Sequence, residues 1–332
     1  MVRLRAPAFW SQPSAKIRPL LLSPFSAIVA AITARKQRQM GWTAPVPVLC
    51  CGNISVGGTG KTTVVLDLAE RLLQRGKNPH ILTRGYGGRL RATTRVNPAQ
   101  HTAQDVGDEP LLLAQLCPVW VGADRAESAR MAVAAGADCL LMDDGFQNPS
   151  LHKNLSLLVV DGGAGLGNGH VLPAGPLREQ PLQAFARAQA TVLIGPDKTG
   201  FQERFGKVAS HLMRAGLRQS DTISVLQGQR CVAFAGLGRP EKFFEGLKNC
   251  NVALAQTVAF PDHYFYKQQD LARLADMAVS LQARLVTTPK DAVRLPEYFR
   301  HKVITVGVEL VWQNPAAPEI LLDQFLNEAA AG

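Results

Sequence analysis

Residues 46 to 76 constrain the fold of this chain more than any other stretch. "VPVLCCGN" is a short apolar run of strand character, "ISVGGTGK" is a glycine-rich turn, and "KTTVVLDLAERLLQRG" repeats apolar residues at helical spacing until Gly76. Strand, glycine loop and helix in that order form the local frame of a phosphate-binding P-loop. Gly57, Gly58 and Gly60 allow backbone N–H groups to crowd around phosphate oxygens, and the helix N-terminus adds a favourable dipole. Lys61 is placed to reach the β- and γ-phosphates and Thr62 to offer its hydroxyl to Mg²⁺. The expected nucleotide cradle is Ser55, Val56, Gly57, Gly58, Thr59, Gly60, Lys61, Thr62 and Thr63. Ser55 breaks the strict G-x-x-x-x-G-K-[ST] pattern, so a glycine turn that binds nothing is the competing reading.

Downstream, "ADCLLMDDGFQ" reads as a buried strand ending in Asp143 and Asp144, an acidic pair suited to complete a Mg²⁺ shell; a turn or cap is the alternative use of such a pair. Between the two motifs, "PHILTRGYGG", "GDEPLLLAQL", "PVWVG" and "DRAESARMAVAAG" alternate strand-like and helix-like runs. This is the rhythm of a doubly wound α/β domain, in which ligand sites gather at the carboxyl ends of parallel strands. Tyr86, Asp108 and the Asp143/Asp144 pair then share an edge with the glycine loop. After a polar stretch from about Lys198 to Arg230, "CVAFAGLGRPEKFFEGL" restarts strand, turn and helix, which predicts a second, smaller α/β unit. Its "GLGRP" lacks the third glycine of a dinucleotide fingerprint and is read as a turn. The predicted division is 1–40, 41–225 and 226–332.

Net charge is +10 over 332 residues, and no acidic residue precedes Asp67, whereas Arg3, Arg5, Lys16, Arg18, Arg35, Lys36, Arg38 and Lys61 do. No aromatic-rich, recognition-helix or zinc-finger pattern accompanies this bias, so an anionic membrane or a phosphorylated substrate is the expected partner rather than nucleic acid. Nothing calls for an obligate protein partner. Ser23 and Pro24 are placed to start a helix that runs to Gln39, with Phe25, Ile28, Val29 and Ile32 on one face. At 1.5 Å per residue it would be about 24 Å long, shorter than the hydrocarbon core of a bilayer, which favours an amphipathic helix lying on the membrane. Packing on the protein core and a signal peptide are the alternatives, the latter opposed by the basic residues that directly follow the apolar run. The six cysteines show no metal-ligand spacing and fit a reduced, cytoplasmic chain.

Seven blocks in order, "GNISVGGTGKT", "TRGYGG", "GDEP", "DDGFQ", "GNGHVLPAGPLRE", "FPDHYFY" and "KDAVRL", resemble the tetraacyldisaccharide 4'-kinases of lipid A biosynthesis, from the N-terminal helix to about residue 295. In that family Ser55 is an expected residue of a variant loop. The resemblance implies a P-loop NTPase-like fold that uses ATP and Mg²⁺. The reaction it implies phosphorylates the 4'-hydroxyl of an anionic glycolipid, tetraacyldisaccharide 1-phosphate, at the cytoplasmic face of the inner membrane. It also implies that Asp108 and His263 activate the attacking hydroxyl, that Lys61, Thr62, Asp143 and Asp144 hold phosphate and magnesium, and that Arg178 offers a cation to the transferred group. Arg84, Tyr86, Asn168 and Glu179 fall in the matching blocks as candidate substrate contacts.

Asp108 could equally cap the helix that follows it, and Arg178 could serve a surface ion pair. Asn148, Ala164 and Pro289 depart from the family pattern, where histidine, arginine and glutamate are usual. A ParA/MinD-like ATPase switch is the alternative function; Val56 opposes it, because that class carries lysine there. A pseudokinase that only binds membrane is a third.

Overall fold

The computed structural model describes residues 6–12 and 17–328. Arg3, Arg5 and Lys16 of the basic N-terminus lie outside them. Two sheets organise the described residues. The larger has nine strands in the order Val308–Trp312, Leu212–Gln219, Ala190–Ile194, Leu155–Asp161, Val48–Gly52, Cys139–Asp143, Pro79–Thr83, Val119–Val121 and Thr94–Arg95. Its two edge strands pair antiparallel and every other pairing is parallel.

Val48–Gly52 is buried along its whole length because helices cover both faces of the sheet. Leu49 and Cys51 point into one core layer and Val48 and Cys50 into the other, the period-two alternation of a strand. The register sets Cys51 opposite Asp143, so the expected metal carboxylate emerges level with the start of the glycine loop.

The smaller sheet orders Ala253–Ala259, Arg230–Ala235, Arg284–Thr287 and Val303–Thr305, all parallel. The predicted boundary 226–332 needs correction at its far end. After Thr305 the chain returns: Val308–Trp312 pairs with Leu212–Gln219, and helix Ala317–Glu328 packs on helix α2, Lys61–Gln74. Leu321, Leu322 and Phe325 complete the core layer that holds Val64 and Leu68. Arg71 of α2 and Arg75, which caps it, both pair with Glu319. The smaller unit is therefore an insertion of about residues 230–305 in the larger one.

The N-terminal helix α1 also departs from expectation. It spans Ile17–Gln37, starting seven residues before Pro24 rather than at it. Pro24 cannot donate to Leu20 O, but the Ser23 hydroxyl donates to that carbonyl at 2.7 Å, so the ladder is repaired by a side chain and the helix runs through. At 21 residues it is long and apolar enough to cross a membrane by length and composition. One face is fastened to segment 171–179: the Ser26 hydroxyl donates to Val171 O at 2.7 Å and Gln37 donates to Glu179 at 3.0 Å. Ile17, Leu20, Leu21, Phe25, Ile28 and Ile32 are exposed on the other, while Val29 packs inward.

Candidate active site

The glycine loop is built on Asn53. Its side-chain amide donates to Ser55 O at 2.8 Å and to Thr59 Oγ1 at 3.2 Å, holding the loop's two ends together from inside. From outside, Val56 N donates to Pro176 O and Arg178 N to Ile54 O, with Ser55 bridged to Leu177. Ser55 is not among the residues with positive φ, which is why a side chain is tolerated where the usual pattern has glycine. Gly57 and Gly60 do have positive φ, at 122° and 90°. A Cβ on Gly57 or Gly58 would meet only open space, the space a phosphate needs. The amides of Gly57 through Thr62 donate to no backbone carbonyl among the described residues, while that of Thr63 is engaged by Gly60 O. Converging free amides at the start of α2 make an anion cradle.

Around the cradle stand Lys61, Asp143, Asp144 and Arg178. Lys61 Nζ lies 3.6 Å from Asp144 Oδ1, and Arg178 forks onto both Asp144 oxygens at 2.9 and 3.2 Å. Burial alone would raise the Asp144 pKa, but Lys61 and Arg178 outweigh it and hold the carboxyl below its ordinary value. Asp143 shifts the other way: full burial, with Glu109 adding, lifts it well above the usual carboxylate range. Its Oδ1 is buried with no hydrogen-bond partner among the described residues. An orphaned buried carboxylate oxygen beside a phosphate cradle fits a divalent cation, which would supply the missing partner and restore the charged form. No group of three His, Cys, Asp or Glu among the described residues could hold a metal by itself. That suits Mg²⁺, which takes one or two carboxylates and completes its shell with phosphate and water.

A second cluster joins the two units. His263 Nδ1 lies 2.9 Å from Asp108 Oδ2, and Arg294 donates to the same oxygen through Nε at 3.2 Å and Nη2 at 2.6 Å. Burial works against ionised Asp108, yet the His263 hydrogen bond and the Arg294 charge prevail and keep it far below the ordinary carboxylate range. The ionised carboxylate only accepts, so the proton of this contact sits on His263 Nδ1. Tyr86, Gly107 and Phe265 wall a small cavity over the pair. Asp108 opens a helix at Asp108–Leu113 but makes no side-chain capping bond; Gly107 holds the cap position. Glu109, next in the chain, pairs with Lys290 of the insertion and is near enough to influence Asp143, so the two clusters adjoin.

The family model described as "Tetraacyldisaccharide-1-P 4'-kinase" matches residues 18–326. The chain belongs to the tetraacyldisaccharide 4'-kinase family. A curated tetraacyldisaccharide 4'-kinase of Gluconacetobacter diazotrophicus is 54% identical over 99% of this chain and 100% of its own, and one of Gluconobacter oxydans is 55% identical over 96% and 97%. The fold is similar to a solved structure of LpxK from Aquifex aeolicus in complex with ATP, with a TM-score of 0.74 and 27% identity, covering 92% of this chain and 99% of that one.

Within this tetraacyldisaccharide 4'-kinase chain, two of the expected substrate contacts, Glu179 and Asn168, have their polar atoms engaged inside the protein. Glu179 is 1% exposed and accepts from Gln37, Gln147 and Arg187, so it is an internal strut rather than a carboxylate open to substrate. Asn168 is likewise occupied, donating to Phe9 O and Ala174 O and accepting from His170 N, so its glycine-rich loop is tied down. Arg84 is exposed and Tyr86 stands 65% exposed with its ring against His263. Two of the departures have local reasons. Asn148 accepts from Ser150 N and Oγ and closes a turn. Pro289 occupies the first turn of a short helix capped by Thr288, where a missing N–H costs nothing. Nothing in the structure explains Ala164. Sequence reasoning missed Asn53, Gln147, Asp291 and Arg294, although "GNISVGG", "DDGFQ" and "KDAVRL" contain them.

Proposed function

We infer that the chain is an ATP-dependent kinase that transfers the γ-phosphoryl group to the 4'-hydroxyl of tetraacyldisaccharide 1-phosphate, giving lipid IVA in lipid A biosynthesis. The observation that carries the site assignment is the meeting of a phosphate cradle on one unit with an ionised Asp108–His263 pair completed by the other. The cradle amides and Lys61 bind the phosphates, and Thr62, Asp143 and, through its open side, Asp144 are the residues that would hold Mg²⁺. Bound Mg²⁺ supplies neutralisation of developing phosphate charge. The Asp108–His263 pair takes the proton of the 4'-hydroxyl as its oxygen bonds to phosphorus and the bond to the β-phosphate oxygen breaks, releasing ADP. Arg178, beside Asp144, offers a second cation to the transferred group. Tyr86 and Phe265 present exposed rings at the mouth for the sugar, and Arg84 a cation at the same strand end.

The α1 face carrying Ile17, Leu20, Leu21, Phe25, Ile28 and Ile32 rests in the cytoplasmic leaflet of the inner membrane, with Arg35 and Lys36 at its end for anionic headgroups. Lying in the interface is favoured over crossing. Crossing would strip Ser26 and Gln37 from their partners on the protein. Val56, exposed on the loop, leaves the ATPase-switch alternative without its lysine. Purified protein mixed with ATP, Mg²⁺ and the lipid disaccharide tests the reading; ATP consumption unaffected by the disaccharide would remove it.

A further inference from the structure

Arg294 and Asp291 lie among the most deeply buried charges of the molecule, with side chains 1% and 0% exposed. Three acceptors share the Arg294 guanidinium: Asp108 Oδ2, Asp291 Oδ1 at 2.9 Å and Gly236 O at 3.0 Å. Asp291 in turn accepts from Gly236 N at 2.9 Å, Tyr266 OH at 2.7 Å and Thr288 Oγ1 at 2.6 Å. Gly236 O also receives the backbone N–H of His263 at 3.0 Å. One peptide unit therefore sets both groups that contact Asp108. His263 itself is held at φ 53°, a left-handed conformation that needs support from its surroundings. The fit around Gly236 is close: a Cβ there would come within 3.1 Å of Asp291 Oδ1 and Pro261 O.

We propose that Arg294 and Asp291 are positioning residues which, through the Gly236 peptide, clasp the insertion onto Asp108 and fix His263 against it, so that the proton-accepting pair exists only when the two units are docked. This rests on the kinase reading. The planar guanidinium reaches Asp108, Asp291 and the Gly236 carbonyl at once through separate N–H groups, a spread that a compact ammonium does not reproduce. The other charged or titratable groups facing Asp108 and its partner are few. Lys290 is near enough to feel the Asp108 charge and is paired to Glu109, Asp262 lies 3.7 Å from His263 Nε2, and Tyr86 packs on the imidazole. None of these replaces a forked guanidinium on Oδ2.

The test compares the full-length wild type with Arg294→Gln, Arg294→Lys and Asp291→Asn in steady-state kinase assays from pH 4 to 9. Arg294→Gln should lower kcat about 100-fold while KM for ATP stays within about twofold, because the cradle is untouched. Its acidic limb should move to higher pH, since Asp108 loses the cation that favours its ionised form. Arg294→Lys should return the limb toward wild type but recover kcat only in part, and Asp291→Asn should lower kcat without moving KM for ATP. A fall in kcat that merely tracks the folded fraction, with the limb unmoved, overturns the assignment. Full activity of Arg294→Gln overturns it too. The ¹³C carboxyl titration of Asp108 reads the clasp without turnover: an upward shift in folded Arg294→Gln, with a smaller one in Arg294→Lys, supports it and no shift in either contradicts it. A wild type that fails to phosphorylate the disaccharide would strike the kinase reading instead, and the carboxyl titration would still decide the clasp.

Discussion

Nδ1 of His263 stands 2.9 Å from Oδ2 of Asp108, one residue from each of the two sheet units. The contact joins residues that neither unit holds alone, and the proposed proton-accepting site is this pair. Asp108→Asn and His263→Ala should each lower kcat by about 10² to 10⁴, the usual worth of a general base, with ATP binding nearly unchanged. Equilibrium binding of a labelled nucleotide beside turnover checks this. A large loss of nucleotide affinity in either variant would place the pair in binding rather than chemistry.

Asp143 gives the metal prediction. Its Oδ1 has no partner among the described residues, so Asp143→Asn should fold but need far more Mg²⁺. A rise of about tenfold or more in the Mg²⁺ concentration for half-maximal rate is the expected outcome, read from a titration at saturating ATP. An unchanged Mg²⁺ dependence would move the metal elsewhere.

Acid should loosen the joint between the units. Asp108 has a folded-state pKa below its unfolded value, so the folded protein binds fewer protons there. The stabilisation is complete above the ordinary aspartate value of about 4 and is lost as pH falls below it toward the lower folded value. Urea midpoints of the wild type should drop below about pH 4 more steeply than those of Asp108→Asn. Parallel curves would mean that this carboxylate does not carry the linkage.

The exposed stripe of α1 should govern membrane association without touching the cradle. Phe25→Glu with Ile28→Glu should abolish flotation with anionic vesicles, while soluble-nucleotide binding persists. Flotation equal to wild type would assign the membrane contact to another surface.

The parts of the fold legible in the sequence were those with strong local signals. The strand before the glycine loop and the strand ending in Asp143 are unbroken apolar runs because both faces of the sheet are covered. Leu212–Gln219 was hidden in a stretch read as polar: its side chains alternate around Arg214 and Arg218, and its pairing with Val308–Trp312 is set by a return of the chain that no local pattern signals. The start of α1 was misplaced because Ser23 and Pro24 look like a helix start, whereas here the serine repairs the proline's gap. Arg294 escaped notice for a related reason. A cation at the end of a short helix looks solvated until the fold buries it between Asp108 and Asp291.

The most direct test of the central claim is a single-turnover reaction of the purified wild-type chain with γ-³²P-labelled ATP, Mg²⁺ and tetraacyldisaccharide 1-phosphate in mixed micelles, run beside Asp108→Asn. The account predicts label on the 4'-position of the disaccharide, located by ³¹P NMR of a scaled-up product, and little or none with the variant. Label released only as inorganic phosphate, or equal transfer by both proteins, would contradict it.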